Sequence, residues 1–131
     1  DPTSFLVEWR AFTAGGGSRL VLRALMNPKE NYWFRLPYQL KDSISAINDT
    51  ERRTVTYIRV TTDEAGNQFL GSTLFTIRVF TRSAWDSRGE SGGYELLDIE
   101  NDSVYCMQSY AHSEQDMAYV SQIREDFQLL S

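Results

Sequence analysis

The sequence predicts an α+β protein, in which an antiparallel sheet of about six or seven strands built from hairpins packs against helices. Two observations carry this prediction. Asn67–Arg82 is the longest run of β-branched and aromatic residues, and its period-two alternation predicts the central strand. His112–Ser131 instead spaces its apolar residues as on a helix. The helix is therefore expected to bury its apolar stripe against the sheet.

The first half of the chain predicts a hairpin, a short strand and a crossover. Phe5–Thr13 and Arg19–Met26 alternate on either side of a glycine-rich turn, which indicates a β-hairpin. Tyr32–Leu36 predicts a short strand that Pro37 ends, because proline cannot donate to a sheet ladder. Within Pro37–Asp49 the apolar residues have weak helical spacing, so this stretch predicts a short crossover helix or an irregular crossover.

The second half predicts two more hairpins before the helix. Arg53–Thr61 alternates and is joined to the central strand by a short polar turn, so the two strands must be antiparallel. Tyr94–Ile99 and Ser103–Tyr110 flank another polar turn. Ser113 and Asp116 have the spacing of a helix cap, in which the serine hydroxyl accepts from the amide three residues on.

The composition indicates one globular domain over residues 1–131, with residues 1–26 as an N-terminal hairpin. The chain has 131 residues, of which 41% are apolar and 24% charged. Its net charge of −5 and scattered arginines argue against nucleic-acid binding. No apolar run approaches the roughly 18 residues of a membrane span. An upstream signal peptide or lipid anchor is compatible with a chain that starts at Asp1.

Four motifs resemble those of PsbP-like domains. NPKENYWFRLP leads through a turn into a strand that ends at proline, and STLFTIRVF is followed by Trp85. ENDSVYCMQ and the polar helix start HSEQD fit the same layout. The resemblance covers Asn27–Ser131.

This resemblance implies a small α/β domain of the kind found in bacterial exported proteins and lipoproteins. Such domains are typically non-enzymatic. Because the similar domains occur in exported proteins and lipoproteins, the resemblance implies an extracytoplasmic location, secreted or membrane-anchored. It assigns no functional residues to this chain. A cytoplasmic location is the alternative, and the lone Cys106 is compatible with both.

Catalytic and metal sites are not predicted. His112 is the only histidine and has Ser109, Ser113 and Asp116 near it in sequence, but no nucleophile-elbow motif is present and Ser113 suits a helix cap. Asp98, Glu100 and Asp102 alternate as calcium ligands could, yet they also make a good polar turn. We therefore expect no catalytic residues, no metal and no cofactor.

Exposed aromatic residues are the best candidates for binding a ligand or a partner. Trp85 and Arg88 lie in the loop-like segment Ser83–Gly93, and tryptophan beside arginine is typical of recognition surfaces. Trp33 and Tyr38 come from an aromatic cluster around the third strand. The alternative for Trp85 is that its ring folds back over one end of the sheet.

The sequence therefore favours a non-catalytic, extracytoplasmic binding or accessory domain. Its partner is expected to be a protein or a cell-envelope component. One alternative is a small-ligand or glycan-binding module that uses the exposed aromatic residues. Another is an acidic intracellular interaction protein of the immunity type, which the net charge of −5 would suit.

Overall fold

The computed structural model describes residues 5–12, 15, 18–40, 43–88 and 92–130. Its strands are β1 Phe5–Phe12, β2 Ser18–Asn27, β3 Tyr32–Arg35, β4 Ile44–Asp49, β5 Thr54–Thr62, β6 Gln68–Thr81, β7 Glu95–Glu100, β8 Ser103–Ser109 and β9 Gln128–Leu129. Its helices are α1 Arg82–Asp86 and α2 Glu114–Asp126, and one 3-10 turn covers Tyr38–Leu40. The predicted α+β class and the antiparallel pairing are confirmed.

The strands form two antiparallel sheets, so the prediction of one sheet with six or seven strands was wrong. One sheet has four strands in the order β1-β2-β3-β9, and the other has five in the order β4-β5-β6-β8-β7. The sheets are separate because β3 pairs with β2 and β9 and packs its Phe34 ring edge-on against the five-stranded sheet. The predicted central strand is confirmed as β6, at the centre of the larger sheet.

Aromatic rings join the two sheets in a shared core. The ring of Phe34 in β3 lies edge-on to Tyr57 and Phe75 of the larger sheet, with centroids 5.4 and 5.9 Å away. Tyr57 and Phe75 stack on each other at 4.7 Å. The buried hydroxyls of Tyr32 and Tyr57 are 2.9 Å apart and share a hydrogen bond, which satisfies both polar groups inside the core.

Helix α2 covers this core, as its apolar stripe predicts. Its N-cap is Ser113, whose hydroxyl accepts from the Asp116 amide at 3.0 Å. Val120 and Ile123 are buried, and the helix contacts β3, β6 and β8. The predicted packing of the C-terminal helix against a sheet is confirmed.

The helix ends at Asp126 and does not continue to Ser131 as its apolar spacing predicted. Phe127 has ψ 130° and leaves the helical conformation, and β9 then pairs with β3. The Asp126 carboxylate accepts from the Arg35 backbone amide at 2.6 Å and from its Nε at 2.8 Å. These contacts with β3 override the helical pattern. Within the described residues, no helix is long and apolar enough to cross a membrane.

Among the described residues of Pro37–Asp49, the predicted short helix corresponds to a 3-10 turn, and the later part of the stretch is a strand. The 3-10 turn covers Tyr38–Leu40, and Ile44–Asp49 forms strand β4. Every residue of β4 pairs with β5, so the backbone partners of this sheet edge outweigh a weak local pattern. Leu40 alone of the apolar residues in this stretch is fully buried.

Strand β6 presents different residues on its two faces. Phe75, Ile77 and Val79 belong to the shared core. Thr76, Arg78 and Phe80 alternate with them and lie on the opposite side of the five-stranded sheet, called here the outer face. This face positions the candidate site.

Candidate binding site

The candidate site is a group of five side chains on the outer face, called here the arginine–aromatic cluster. Its members are Arg78, Phe80, Trp85, Arg88 and Tyr94. Helix α1 begins directly after β6, with the hydroxyl of Thr81 accepting from the Ala84 amide at 3.2 Å. The short helix contacts β6 and β8, so it brings Trp85 back onto the sheet.

The ring of Phe80 is the centre of the cluster. Phe80, Val104 and Cys106 are buried together as a second, smaller core on the outer face. Trp85 and Tyr94 pack against Phe80 with ring centroids 5.6 and 5.4 Å away, and both are only partly buried. Phe80 therefore fixes two aromatic side chains that remain accessible to a partner.

Two guanidinium groups share the Phe80 ring. The Cζ atoms of Arg78 and Arg88 lie 4.5 and 4.7 Å from its centroid. Arg88 is also 5.2 Å from the Tyr94 ring and 5.9 Å from the Trp85 ring. Cation–π attraction favours these positions. The two charges are at most about 9 Å apart, close to the screening length at physiological salt, so they act together on an anion.

Arg78 carries a charge that no carboxylate neutralises among the described residues. Five other arginines each pair with an aspartate or glutamate, namely Arg35, Arg52, Arg53, Arg59 and Arg124. The Nε of Arg78 is buried and has no hydrogen-bond acceptor among the residues that the structure describes. An uncompensated cation is notable in a protein with a net charge of −5.

Thr76 adds an unsatisfied hydroxyl to the same face. Its side chain is buried, with only 7% of the residue exposed, and its Oγ1 has no hydrogen-bond partner within the described ranges. Thr56 and Gln108 flank it in register on β5 and β8. Buried polar groups nearly always find a partner, so this hydroxyl and the Arg78 Nε are exceptions that both lie on the outer face.

Cys106 lies beneath the cluster as an inert thiol. It is fully buried and forms no disulfide. Burial raises the pKa of its thiol from 9.0 to about 11, and the charge of Arg88 opposes this shift. Since the thiolate is the nucleophile, this environment disfavours reactivity at neutral pH.

The structure brings together two of the four predicted binding residues. Trp85 and Arg88 are both in the arginine–aromatic cluster. Trp33 lies on β3 in the four-stranded sheet, and Tyr38 lies in the following 3-10 turn, where it is 68% exposed. The predicted alternative for Trp85 also holds in part, because its ring packs on Phe80 while staying partly exposed.

Sequence reasoning missed Arg78, Phe80 and Tyr94 as members of this site. The alternation of β6 does place Thr76 and Arg78 opposite Phe75 and Ile77, so a cation on a central strand was a usable signal. The sequence gives no signal that Arg88 reaches the Phe80 ring, because that contact depends on the path of the chain after α1.

The catalytic and calcium candidates have other partners. Ser113 caps α2, and the Asp116 carboxylate pairs with Arg59, so neither orients His112. Glu100 accepts from the Asn31 side chain at 3.1 Å. Among the described residues, no group of three or more His, Cys, Asp and Glu side chains is arranged to hold a metal ion.

A groove of about 260 Å³ lies between β3 and α2 and offers a weaker candidate. Arg35, Leu36, Pro37, Gln122 and Asp126 line it. Arg35 donates to Asp126 through both its backbone and its guanidinium group. The charges of this groove therefore neutralise each other, which distinguishes it from the outer face.

Comparison of the chain with family models, with curated proteins and with solved structures finds no match. The function is therefore argued from the geometry of the outer face.

Proposed function

We propose that this protein is a non-catalytic binding domain that docks an acidic segment of a partner protein on its outer face. Carboxylates of the partner pair with Arg78 and Arg88. Apolar groups beside those carboxylates contact the accessible parts of Trp85 and Tyr94. The single observation that carries the proposal is the pair of guanidinium groups on one aromatic ring, of which Arg78 has no carboxylate partner among the described residues.

The chemistry of the cluster supports a carboxylate as the recognised group. A guanidinium offers a planar fork of donors that matches the two oxygens of a carboxylate. Phe80 orients both forks in advance, so little side-chain entropy is lost when the partner binds. An incoming carboxylate would also give the Arg78 guanidinium the ionic partner that it lacks among the described residues.

The shape of the surface supports a protein segment as the partner. The cluster lies on a sheet face and a five-residue helix, so the contact area is open and extended. Tryptophan, tyrosine and arginine are the residues that contribute most binding energy at protein interfaces. Here all three occur around one buried anchor, Phe80.

The setting that we propose is the bacterial cell envelope, with the domain exported or anchored there. This part of the proposal rests on the resemblance of four motifs to PsbP-like domains. A protein partner agrees with the non-enzymatic character that the resemblance implies. The proposal keeps Trp85 and Arg88 as binding residues and adds Arg78.

Selection from a random peptide library on the immobilised protein tests the function. The enriched peptides should contain aspartate or glutamate next to an apolar residue, and their binding should weaken with salt because the contact is partly ionic. Arg78→Gln and Arg88→Gln should each weaken the binding of a selected peptide roughly tenfold or more, as expected for one charge-assisted contact.

Arg52→Gln is the matched control, since Arg52 is an exposed arginine in the β4–β5 turn that pairs with Asp49. Its effect on peptide binding should be small. Enrichment without carboxylates, or equal loss in Arg52→Gln and Arg78→Gln, would contradict the proposal. Binding of neutral oligosaccharides on a glycan array, lost in Trp85→Ala alone, would instead support a glycan-binding module.

A further inference from the structure

The two edge strands of the five-stranded sheet differ in how well they are protected from pairing with another chain. Strand β7 carries three acids, Glu95, Asp98 and Glu100, and a bulge between Leu96 and Asp98. Charges and bulges are common devices that stop an edge strand from pairing with another chain. Strand β4 has six residues, pairs with β5 in unbroken register, and has Asp49 as its only charge.

The free side of β4 offers alternate backbone groups for pairing. The amide of Val60 in β5 donates to the carbonyl of Ser43, the residue before β4, at 2.7 Å. Ser43 and Val60 are therefore a hydrogen-bonded pair. Hydrogen-bonded and free residues alternate along an antiparallel strand. The amides and carbonyls of Ile44, Ala46 and Asn48 therefore point away from β5, and Ala46–Asp49 are exposed.

We propose that β4 is an interface for a second copy of this chain. Two β4 strands pair antiparallel across a two-fold axis and join two five-stranded sheets into one. A two-fold contact uses the same surface on both copies, so the strand must be complementary to itself. Several registers of β4 oppose no like charges, and the one centred on Ile47 is favoured because it buries the largest exposed apolar side chain of the strand against itself.

That register places Ile47 opposite Ile47 of the second copy. Ile47 is 47% exposed, and the contact buries two such side chains against each other. Ala46 then faces Asn48, and Ser45 faces Asp49. No two charges of like sign are opposed, and the backbone groups of Ala46 and Asn48 that face away from β5 gain hydrogen bonds that the described residues do not supply.

The net charge of the chain gives this association a salt dependence. Two chains with a charge of −5 repel each other at long range, while β4 itself is almost uncharged. Salt screens the repulsion and leaves the backbone hydrogen bonds and the isoleucine contact in place. Dimerisation should therefore strengthen as salt is raised, whereas peptide binding by the arginine–aromatic cluster should weaken.

Analytical ultracentrifugation of the full chain tests the proposal. The wild type should show a species with twice the mass of the 15.1 kDa chain, in a fraction that rises with protein concentration. Ile47→Lys places two lysines opposite each other and should weaken dimerisation at least about tenfold, since like charges directly opposed destabilise a pair. An equal mixture of Ile47→Lys and Ile47→Glu should restore it.

Ser45→Lys is the control, because it adds the same charge to the same face of β4 two residues away. In the proposed register the introduced lysine would face Asp49 of the second copy, so the dimer should persist. Hydrogen exchange gives an independent measurement. The Ala46 and Asn48 amides should become protected as concentration rises, while the Ser45 and Ile47 amides are already bonded to β5.

A wild type that remains a single species up to about 1 mM, where even weak association is visible, would overturn the proposal. So would a dimer that Ile47→Lys and Ser45→Lys affect equally. Neither result bears on the arginine–aromatic cluster, whose peptide binding is measured separately.

Discussion

The two faces of the five-stranded sheet each carry an arginine, and the two arginines differ in whether a carboxylate pairs with them. Arg59 of β5 lies on the core face, where the Asp116 carboxylate of α2 pairs with it. Arg78 of the neighbouring β6 lies on the outer face, where it stacks on Phe80 and pairs with no carboxylate of the described residues. Where a helix covers the sheet, the charge contributes to packing. Where only a short helix covers part of it, the charge has no carboxylate partner among the described residues.

The apolar residues of β6 differ in burial along the length of the strand. Phe75 is fully buried and its ring contacts Tyr57 and Phe34, whereas Phe69 of the same strand is 56% exposed. Phe75→Ala should cost about 3–5 kcal/mol of unfolding free energy, because it removes buried surface and leaves a cavity.

Phe69→Ala is the control for this prediction and should change the unfolding free energy by less than about 0.5 kcal/mol. Urea titration of both variants checks it. Similar losses in the two variants would mean that the far end of β6 is packed against something and does not differ from the core end.

The unfolding free energy of the protein should fall at alkaline pH because of Cys106, which lies on the outer face. Burial raises the pKa of this thiol to about 11, whereas the unfolded chain releases the proton near its ordinary value of 9.0. The protonated thiol is thus favoured by folding, and its contribution is fully present below pH 9. It is lost as the pH rises from 9 to about 11.

Unfolding free energies measured across this range should therefore decline in the wild type and decline less steeply in Cys106→Ala. Buried Tyr32, whose pKa is raised by desolvation and by Tyr57, accounts for a further alkaline loss that the variant retains. Parallel curves for the wild type and Cys106→Ala would show that the thiol is not protected by folding.

The smallest effect is expected at Thr76. Thr76→Val keeps the shape of the side chain and removes a buried hydroxyl that has no partner among the described residues. Stability should stay the same or rise by up to about 1 kcal/mol, because the desolvation cost of that hydroxyl disappears. A loss of more than about 1 kcal/mol in thermal or urea unfolding would show that the hydroxyl has a partner in the folded protein.

Much of the fold was predictable because local patterns and long-range pairing agree. The alternation in β6 and the cap at Ser113 each identify one element, and the structure contains both. The patterns failed where distant partners decide. The stretch that forms β4 has weak helical spacing, yet pairing with β5 makes it a strand. Asp126 ends α2 because Arg35, distant in sequence, holds its carboxylate.

The candidate site was predictable only in part for the same reason. Tryptophan beside arginine identified Trp85 and Arg88 from composition alone. Phe80 resembles an ordinary core residue in the sequence, because its role depends on two guanidinium groups meeting over its ring. Trp33 and Tyr38 were selected from the aromatic cluster around the third strand, and they lie in other elements.

The most direct test of the contrast between the faces compares Arg59→Gln with Arg78→Gln. Both variants remove one arginine from adjacent strands of the same sheet. For each, the unfolding free energy and the affinity for an acidic peptide selected on the wild type are measured at the same pH and salt. Arg59→Gln should lose about 1–3 kcal/mol of stability, since the partly buried Asp116 carboxylate loses its partner, and should bind the peptide normally.

Arg78→Gln should keep its stability within about 1 kcal/mol, because the lost cation–π contact with Phe80 is offset by removing the desolvation cost of the buried Nε, and it should lose peptide binding. If instead Arg78→Gln is the destabilised variant and both bind the peptide like the wild type, the outer face is structural and the assignment of the two faces is contradicted.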